Sequence, residues 1–249
     1  MKHWLIAVGL LLGAAAHGQD KSQGLVTYQR VEYWAKIIQR LPYLSKEEKD
    51  RVTMTWGSRD EGGKTKMKLA FDPNQSVYTY LSESGQSEDG QWSWRQTDYL
   101  IQRNYAQEKK TEIHEMLGKT YIIEDSLRTP KWKILNQLKD IAGYVCMKAE
   151  TFDPVKNQKI TAWFANDLTI PAGPERYYGL PGLIMELDIN DGDVVITALN
   201  VEFKDVKKDL TLPKLKGKKI KDADYEKLLT DHIRDSIKAQ RNPYWAIQY

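Results

Sequence analysis

Along most of this chain hydrophobic and polar residues alternate with a period of two, the pattern of strands that bury one face. The clearest run is Lys64–Phe71, where Thr65, Met67, Leu69 and Phe71 alternate with Lys64, Lys66, Lys68 and Ala70. Runs at Leu25–Trp34, Gln75–Leu81, 98–104, 111–116, 119–124, Trp132–Leu135, Tyr144–Phe152, Gln158–Ala165, Leu183–Ile189 and Val194–Phe203 predict further strands. Val52–Gly57 reads as one more, turning through Asp60-Glu61-Gly62-Gly63 into the Lys64–Phe71 arm. Asn190-Asp191-Gly192-Asp193 predicts a tight hairpin turn, and Leu183, Met185, Leu187 and Ile189 before it share a face. A strand roughly every ten residues predicts an antiparallel meander rather than a helix-connected parallel sheet.

The period changes in two places. Ser45–Arg51 is a short polar helix capped by its serine. From about Asp222, taken as the N-cap, to about Arg241, the side chains of Tyr225, Leu228, Leu229, Ile233 and Ile237 fall on one helical stripe. Asn242-Pro243 ends that helix. Residues 82–93 are rich in Ser, Gly, Glu and Gln and predict a surface loop. Residues 204–221 carry eight lysines with Asp205 and Asp209 among them, and predict a solvated connector. The fold class is therefore mainly β (β-rich α+β): a curved antiparallel meander sheet with a C-terminal amphipathic helix packed on it.

The N-terminus departs from this pattern. Lys2 and His3 precede an apolar run, Trp4–Ala16, and the chain turns polar at Gln19. That is signal-peptide grammar, with Ala16 and Gly18 at the −3 and −1 positions of a cut before Gln19. The run is about 13 residues against the about 20 needed to span a bilayer, and no comparable run follows. The expectation is a signal peptide over 1–18, one β-rich domain over 19–249, and a periplasmic or secreted destination with no transmembrane segment in the mature chain. Gln19, where a lipid anchor requires cysteine, points away from lipidation. The net charge of +3 gives no broad electrostatic case for nucleic acid. Cys146 is the single cysteine, so no internal disulfide forms, and a chain of this size builds a core without one.

One segment stands out locally. Leu180-Pro181-Gly182-Leu183 suits a type II turn, proline setting φ and glycine accepting a positive φ, and Pro171-Ala172-Gly173-Pro174 before it is stiff. The segment 166–182 reads as an ordered loop, and loops of this kind also line binding sites. Pro171, Gly173, Pro174, Tyr178, Gly179, Leu180, Pro181 and Gly182 are the candidate binding residues. Gly179–Ile184 spells Gly-Leu-Pro-Gly-Leu-Ile without a break. Upstream stand Trp132-Lys133-Ile134, Ile141-Ala142-Gly143-Tyr144-Val145-Cys146 with Lys148-Ala149, Thr161-Ala162-Trp163-Phe164, Ile170-Pro171 and Gly173-Pro174. In this order they resemble the GLPGLI family, exported bacterial proteins named for the hexapeptide, with the best match over 119–203. The resemblance implies an exported protein, and it brings no catalytic residues because the family's biochemical function is unknown.

Candidate chemistry is sparse. Cys146 lies in a strand with no base or helix N-terminus beside it, and reads as a buried structural thiol. His114 and His232 form no zinc-binding spacing, and the chain carries no nucleophile elbow, P-loop or dinucleotide fingerprint. No catalytic residue, metal or cofactor is assigned. Trp92-Ser93-Trp94 with Tyr99 and Tyr105 reads as ordinary strand aromatics, the alternative being an aromatic ligand platform. The function these features favour is a non-catalytic periplasmic binding or accessory protein of the cell envelope, whose partner is an envelope protein, a lipid or a peptide. The alternatives are an exported carboxylate-dependent hydrolase of glycan or peptide, and a structural subunit docking through its aromatic tail, Tyr244–Tyr249.

Overall fold

A computed structural model describes residues 21–57, 62–87, 90–214 and 216–249. The signal-peptide segment 1–18 and Asp60-Glu61 of the turn at 60–63 lie outside the described residues. The chain runs β1 (Gly24–Glu32), α1 (Trp34–Gln39), α2 (Lys46–Val52), β2 (Gly63–Phe71), β3 (Gln75–Tyr80), β4 (Ser84–Gln86), β5 (Ser93–Arg95), β6 (Tyr99–Asn104), β7 (Lys109–Met116) and β8 (Lys119–Ser126). It continues with β9 (Lys133–Ile141), β10 (Tyr144–Asp153), β11 (Gln158–Ala165), β12 (Leu183–Ile189), β13 (Val194–Glu202), β14 (Lys218–Ile220) and α3 (Asp222–Lys238).

Among the described residues twelve strands form one large open sheet, in the order β14-β8-β7-β6-β3-β2-β1-β13-β12-β11-β10-β9. Sheets of this width curl, and this one is curved, with the C-terminal helix packed on it. It is two meanders rather than one. The first leaves the centre at β1 and reaches β8; the chain then crosses to the opposite edge at β9 and returns inward to β13, which pairs antiparallel with β1. β14 adds one short parallel strand beside β8. Its exposed Lys218 and Lys219 discourage pairing with another chain at that edge.

Tight turns hold the meanders. Ala142 and Gly143, at φ 50° and 82°, make the two-residue β9–β10 turn, and Leu117 and Gly118, at φ 53° and 70°, the β7–β8 turn. The inner face carries the main core, from Val26, Tyr28, Leu69 and Tyr78 across to Phe164, Leu183 and Leu187. The helical stripe of α3 buries Tyr225 and Leu229 against Met116, Ile123 and Ile247, while Leu228 stays 38% exposed.

Four sequence expectations change. Val52–Gly57 is not a strand: α2, capped by Ser45 in a reciprocal box with Glu48, continues through a π-helical turn at Thr53–Gly57. The alternating Met54 and Trp56 are 83% and 64% exposed, so the period of two there reports no buried face. The 82–93 loop contains a separate ribbon, β4 paired with β5. The lysine-rich connector is not wholly solvated. Val206 and Leu210 are buried against Leu25, Ala70, Val77, Leu100 and Ile113, strapping the outer face of the sheet, and Lys68 pairs with Asp209 at 2.7 Å. Finally, Lys221 holds the N-cap position of α3, and Asp222 turns inward to a different task.

No described helix is long and apolar enough to cross a membrane.

Candidate functional site

The inner face is filled by the chain itself. Leu168, Ile170, Ala172 and Leu180, from the segment between β11 and β12, are buried in the main core. Backbone bonds seat this loop: Leu183 N–H donates to Leu168 O at 2.9 Å, Ile184 N–H to Ala172 O at 3.0 Å, and Gly179 N–H to Pro171 O at 2.9 Å. Trp132 Nε1 donates to Tyr178 O at 2.9 Å and Tyr28 Oη to Ile184 O at 2.6 Å. Of the candidate binding residues, Gly173, Pro174, Tyr178, Leu180 and Gly182 are buried, Pro171 is half-buried, and Gly179 and Pro181 are exposed.

The two glycines of the hexapeptide do different work from a type II turn. The positive φ, +87°, falls on Gly179. Gly182 permits a close crossing: a Cβ there would stand 2.1 Å from the Ala165 carbonyl oxygen.

Two adjacent loop residues carry opposite charges into the interior. Glu175, at φ 53°, meets Arg30 Nε at 3.2 Å and accepts from Tyr99 Oη. Arg103 donates to the backbone oxygens of Gly173 and Glu175, the former at 3.2 Å. Arg176 reaches the other way. It pairs with Glu112 at 3.1 Å, with Asp222 of α3, and with Glu226 at 3.6 Å. Lys110 lies 3.0 Å from Glu112 and 2.9 Å from Asp222, and His114 Nε2 is 2.9 Å from Glu112. The loop is thus stapled by charge to both β1 and the β7–α3 region. The sequence singles out none of Arg30, Arg103, Glu112, Glu175 or Arg176, and weighs His114 only against a zinc-binding spacing, although the alternation of Val26-Tyr28-Arg30 places Arg30 on the buried face.

The tail completes the filling. Tyr249 Oη donates to Asp193 at 2.5 Å and accepts from Asn190 at 2.8 Å, and Lys156 Nζ donates to Gln248 O at 2.7 Å. Tyr249 and Ile247 are buried, so Tyr244–Tyr249 belongs to the core rather than forming a free docking element; Trp245 alone is widely exposed, at 76%. Between loop, tail and α3 remains a cavity of about 40 Å³ bordered by His114, Asp153, Lys156, Glu175 and Tyr225. At about 10–15 Å³ per water this holds about three or four water molecules, not a sugar ring. Among the described residues no group of three or more His, Cys, Asp or Glu side chains is placed to hold a metal ion.

The electrostatics fit a structural network. Burial alone would raise the Glu112 carboxyl, but Arg176, the His114 hydrogen bond and Lys110 hold it well below the usual range. Burial lowers His114 below its ordinary value against the pull of Glu112, and pulls Lys156 down to about 8 against Asp153 and Glu175. As pH falls below about 6.5 the unfolded chain protonates this histidine first. His114 therefore contributes stability above that pH which is lost as pH drops through its folded value. Glu112 acts in the same direction at lower pH, its contribution present above about 4.3 and lost on further acidification. Urea midpoints should fall between pH 7 and pH 5, and His114→Gln, which keeps a hydrogen bond to Glu112 without titrating, should flatten that fall.

Cys146 is fully buried. Burial, with Glu186 and Asp140 nearby, pushes its thiol up to about 11. A thiol reagent should label the native protein about a hundredfold or more slower than the urea-unfolded chain, since the thiolate is the reactive form.

Residues 79–227 match the N-glycanase peptide, N-terminal domain family. The chain belongs to this family. The matched span includes the whole charge-stapled loop, with all its partners except Arg30. Among solved structures, PNGF-II in a C2 space group superposes with a TM-score of 0.53 at 13% identity, covering 83% of this chain and 32% of that one. PNGF-II in a P21 space group gives 0.54 at 13% identity, with 84% and 33% covered. At this identity the likeness is one of fold. This member of the N-glycanase N-terminal domain family spans about a third of the length of PNGF-II. No match is found among curated proteins.

Proposed function

We propose that this protein is an exported, non-catalytic binding or accessory module of the bacterial cell envelope, working through its outer surface rather than its interior. One observation carries the reading: the inner face, where a carrier or hydrolase built on a curved sheet would hold its ligand, is occupied by residues 166–182 and the C-terminal tail. Membership in a family named for the N-terminal domain of a longer enzyme supports it, as does the Gly179–Ile184 hexapeptide, on which we also propose kinship with the GLPGLI proteins. The signal-peptide pattern of residues 1–18 supports export.

A carboxylate-dependent hydrolase is the second reading. Asp153 and Glu175 do both border the cavity. The space between them is water-sized, and Glu175 is already engaged by Arg30 and Tyr99. The test is recovery of the mature protein from envelope extract with mass spectrometry of what co-purifies, beside an assay for sugar or peptide release from glycopeptides. A defined envelope partner without turnover is the expected result. Turnover that disappears in Glu175→Gln would overturn it in favour of the hydrolase.

A further inference from the structure

Five aromatic side chains from four distant parts of the sequence line one open groove of about 310 Å³ on the surface. They are Trp34 at the start of α1, Tyr80 at the end of β3, Trp94 on β5, and Tyr244 and Trp245 after α3. The volume sits at the lower end of the roughly 300–1,000 Å³ typical of small-molecule sites.

Two of these rings are held open to solvent. Trp94 pairs across the ribbon with Gly85, and a Cβ on Gly85 would fall 2.3 Å from the indole. The indole therefore lies over bare backbone on one side, and the ring remains 51% exposed. Trp245 is 76% exposed although its neighbours Pro243, Ile247 and Tyr249 are buried. The same short tail thus anchors in the core and holds this indole out. Large apolar rings left in water along one groove mark a recognition surface rather than a folding requirement.

The rim is polar: Thr97, Gln96, Gln248 and Arg95 border the groove. Its charges are matched within the protein. Arg95 pairs with Asp98 at 2.8 Å and Glu115 at 3.0 Å, and Arg30, at the floor, pairs with Glu32 and Glu175. A groove with flat π-faces, hydrogen-bonding edges and balanced charge complements a ring that is itself uncharged, with apolar C–H faces and hydroxyl edges. Nucleic acid requires surplus positive charge beside the stacking rings, and a lipid chain or apolar peptide requires apolar walls. We propose that this groove binds a neutral oligosaccharide, its pyranose faces stacking on Trp94 and Trp245.

The assignment deepens the binding-module reading and takes its biological meaning from it. Isothermal titration of the mature protein with maltotetraose, cellotetraose, mannotetraose and chitotetraose tests it. At least one should bind, with Trp94→Ala and Trp245→Ala each weakening it tenfold or more. Trp92→Ala, an exposed tryptophan outside the groove, should leave affinity unchanged, and raising salt from 50 to 500 mM should change it less than twofold. Urea midpoints confirm that the variants fold; should Trp245→Ala loosen the tail, Trp245→Leu removes the ring while keeping apolar bulk. Absence of binding by all four sugars overturns the assignment, and so does equal weakening by Trp92→Ala or a strong salt dependence. If a bound sugar is cleaved, the non-catalytic reading fails while the groove stands. If no sugar binds but an envelope partner is recovered, the groove fails and the reading stands.

Discussion

Replacing Glu175 with alanine is expected to lower the stability of the protein by about 3 kcal/mol, the lower end of the range for stripping one partner from a buried ion pair. Arg30 is 3% exposed and would keep one carboxylate, Glu32 on the same strand, beside the neutral Gln248 amide oxygen. Tyr99 Oη would lose its acceptor in the same step. Against a total of about 5–15 kcal/mol this is a large fraction. The loss is a penalty for an abandoned charge, not the net worth of the pair. The double replacement Arg30→Met with Glu175→Leu should therefore recover much of it, because apolar residues of similar volume often replace buried pairs without loss. Urea unfolding of the two variants checks both statements. A Glu175→Ala midpoint within experimental error of the parent would show that the loop is held by its apolar residues alone.

The same staple shows what could be read from the sequence. Alternation placed the core-facing side of β2, β11 and β12, because on these strands the inward positions are plainly apolar. On β10 a register shift between Met147 and Lys148 interrupts it and buries Cys146 and Ala149, three residues apart. The burial of Cys146 followed instead from the usual habit of unpaired cysteines away from an activating base. Where inward positions are charged, as at Arg30, Arg103, Glu112 and His114, the apolar pattern breaks exactly where the loop later docks, and a strand taken alone cannot supply the partner that makes such burial tolerable. The sheet order was hidden likewise. β1 and β13 are joined by pairs such as Gln29 with Thr197, and nothing local in either strand names the other. The strap on the outer face was masked by composition: Val206 and Leu210 sit among lysines whose charges stay in water. Val52–Gly57 failed in the opposite way, showing alternation with nothing to bury.

Gly182→Ala is expected to be the most damaging single methyl in the Gly179–Ile184 hexapeptide, lowering stability by about 3 kcal/mol, the upper end of the usual overpacking range. The added Cβ would meet the Ala165 carbonyl oxygen at 2.1 Å, its carbon at 2.7 Å and Asn166 Cα at 3.1 Å. All three are backbone atoms at the end of β11, so no side-chain rotation relieves them. The displacement would pass directly into Leu183, which begins β12 and bonds to Leu168. Gly179→Ala should be milder, about 1–2 kcal/mol, since its φ of +87° lies in the left-handed half of conformational space. Its one close neighbour is the Thr129 Cγ2 methyl at 2.3 Å, a side-chain end, so Thr129→Ser in the same chain should return part of the loss. Pro181 is exposed, and Pro181→Ala should change stability by no more than about 1 kcal/mol through the unfolded chain. Urea midpoints in the order Gly182→Ala lowest, then Gly179→Ala, then Pro181→Ala would mean that the motif is written by the path of the backbone through the core. Unchanged stability for Gly182→Ala would overturn that account and return the hexapeptide to the candidates for a binding loop.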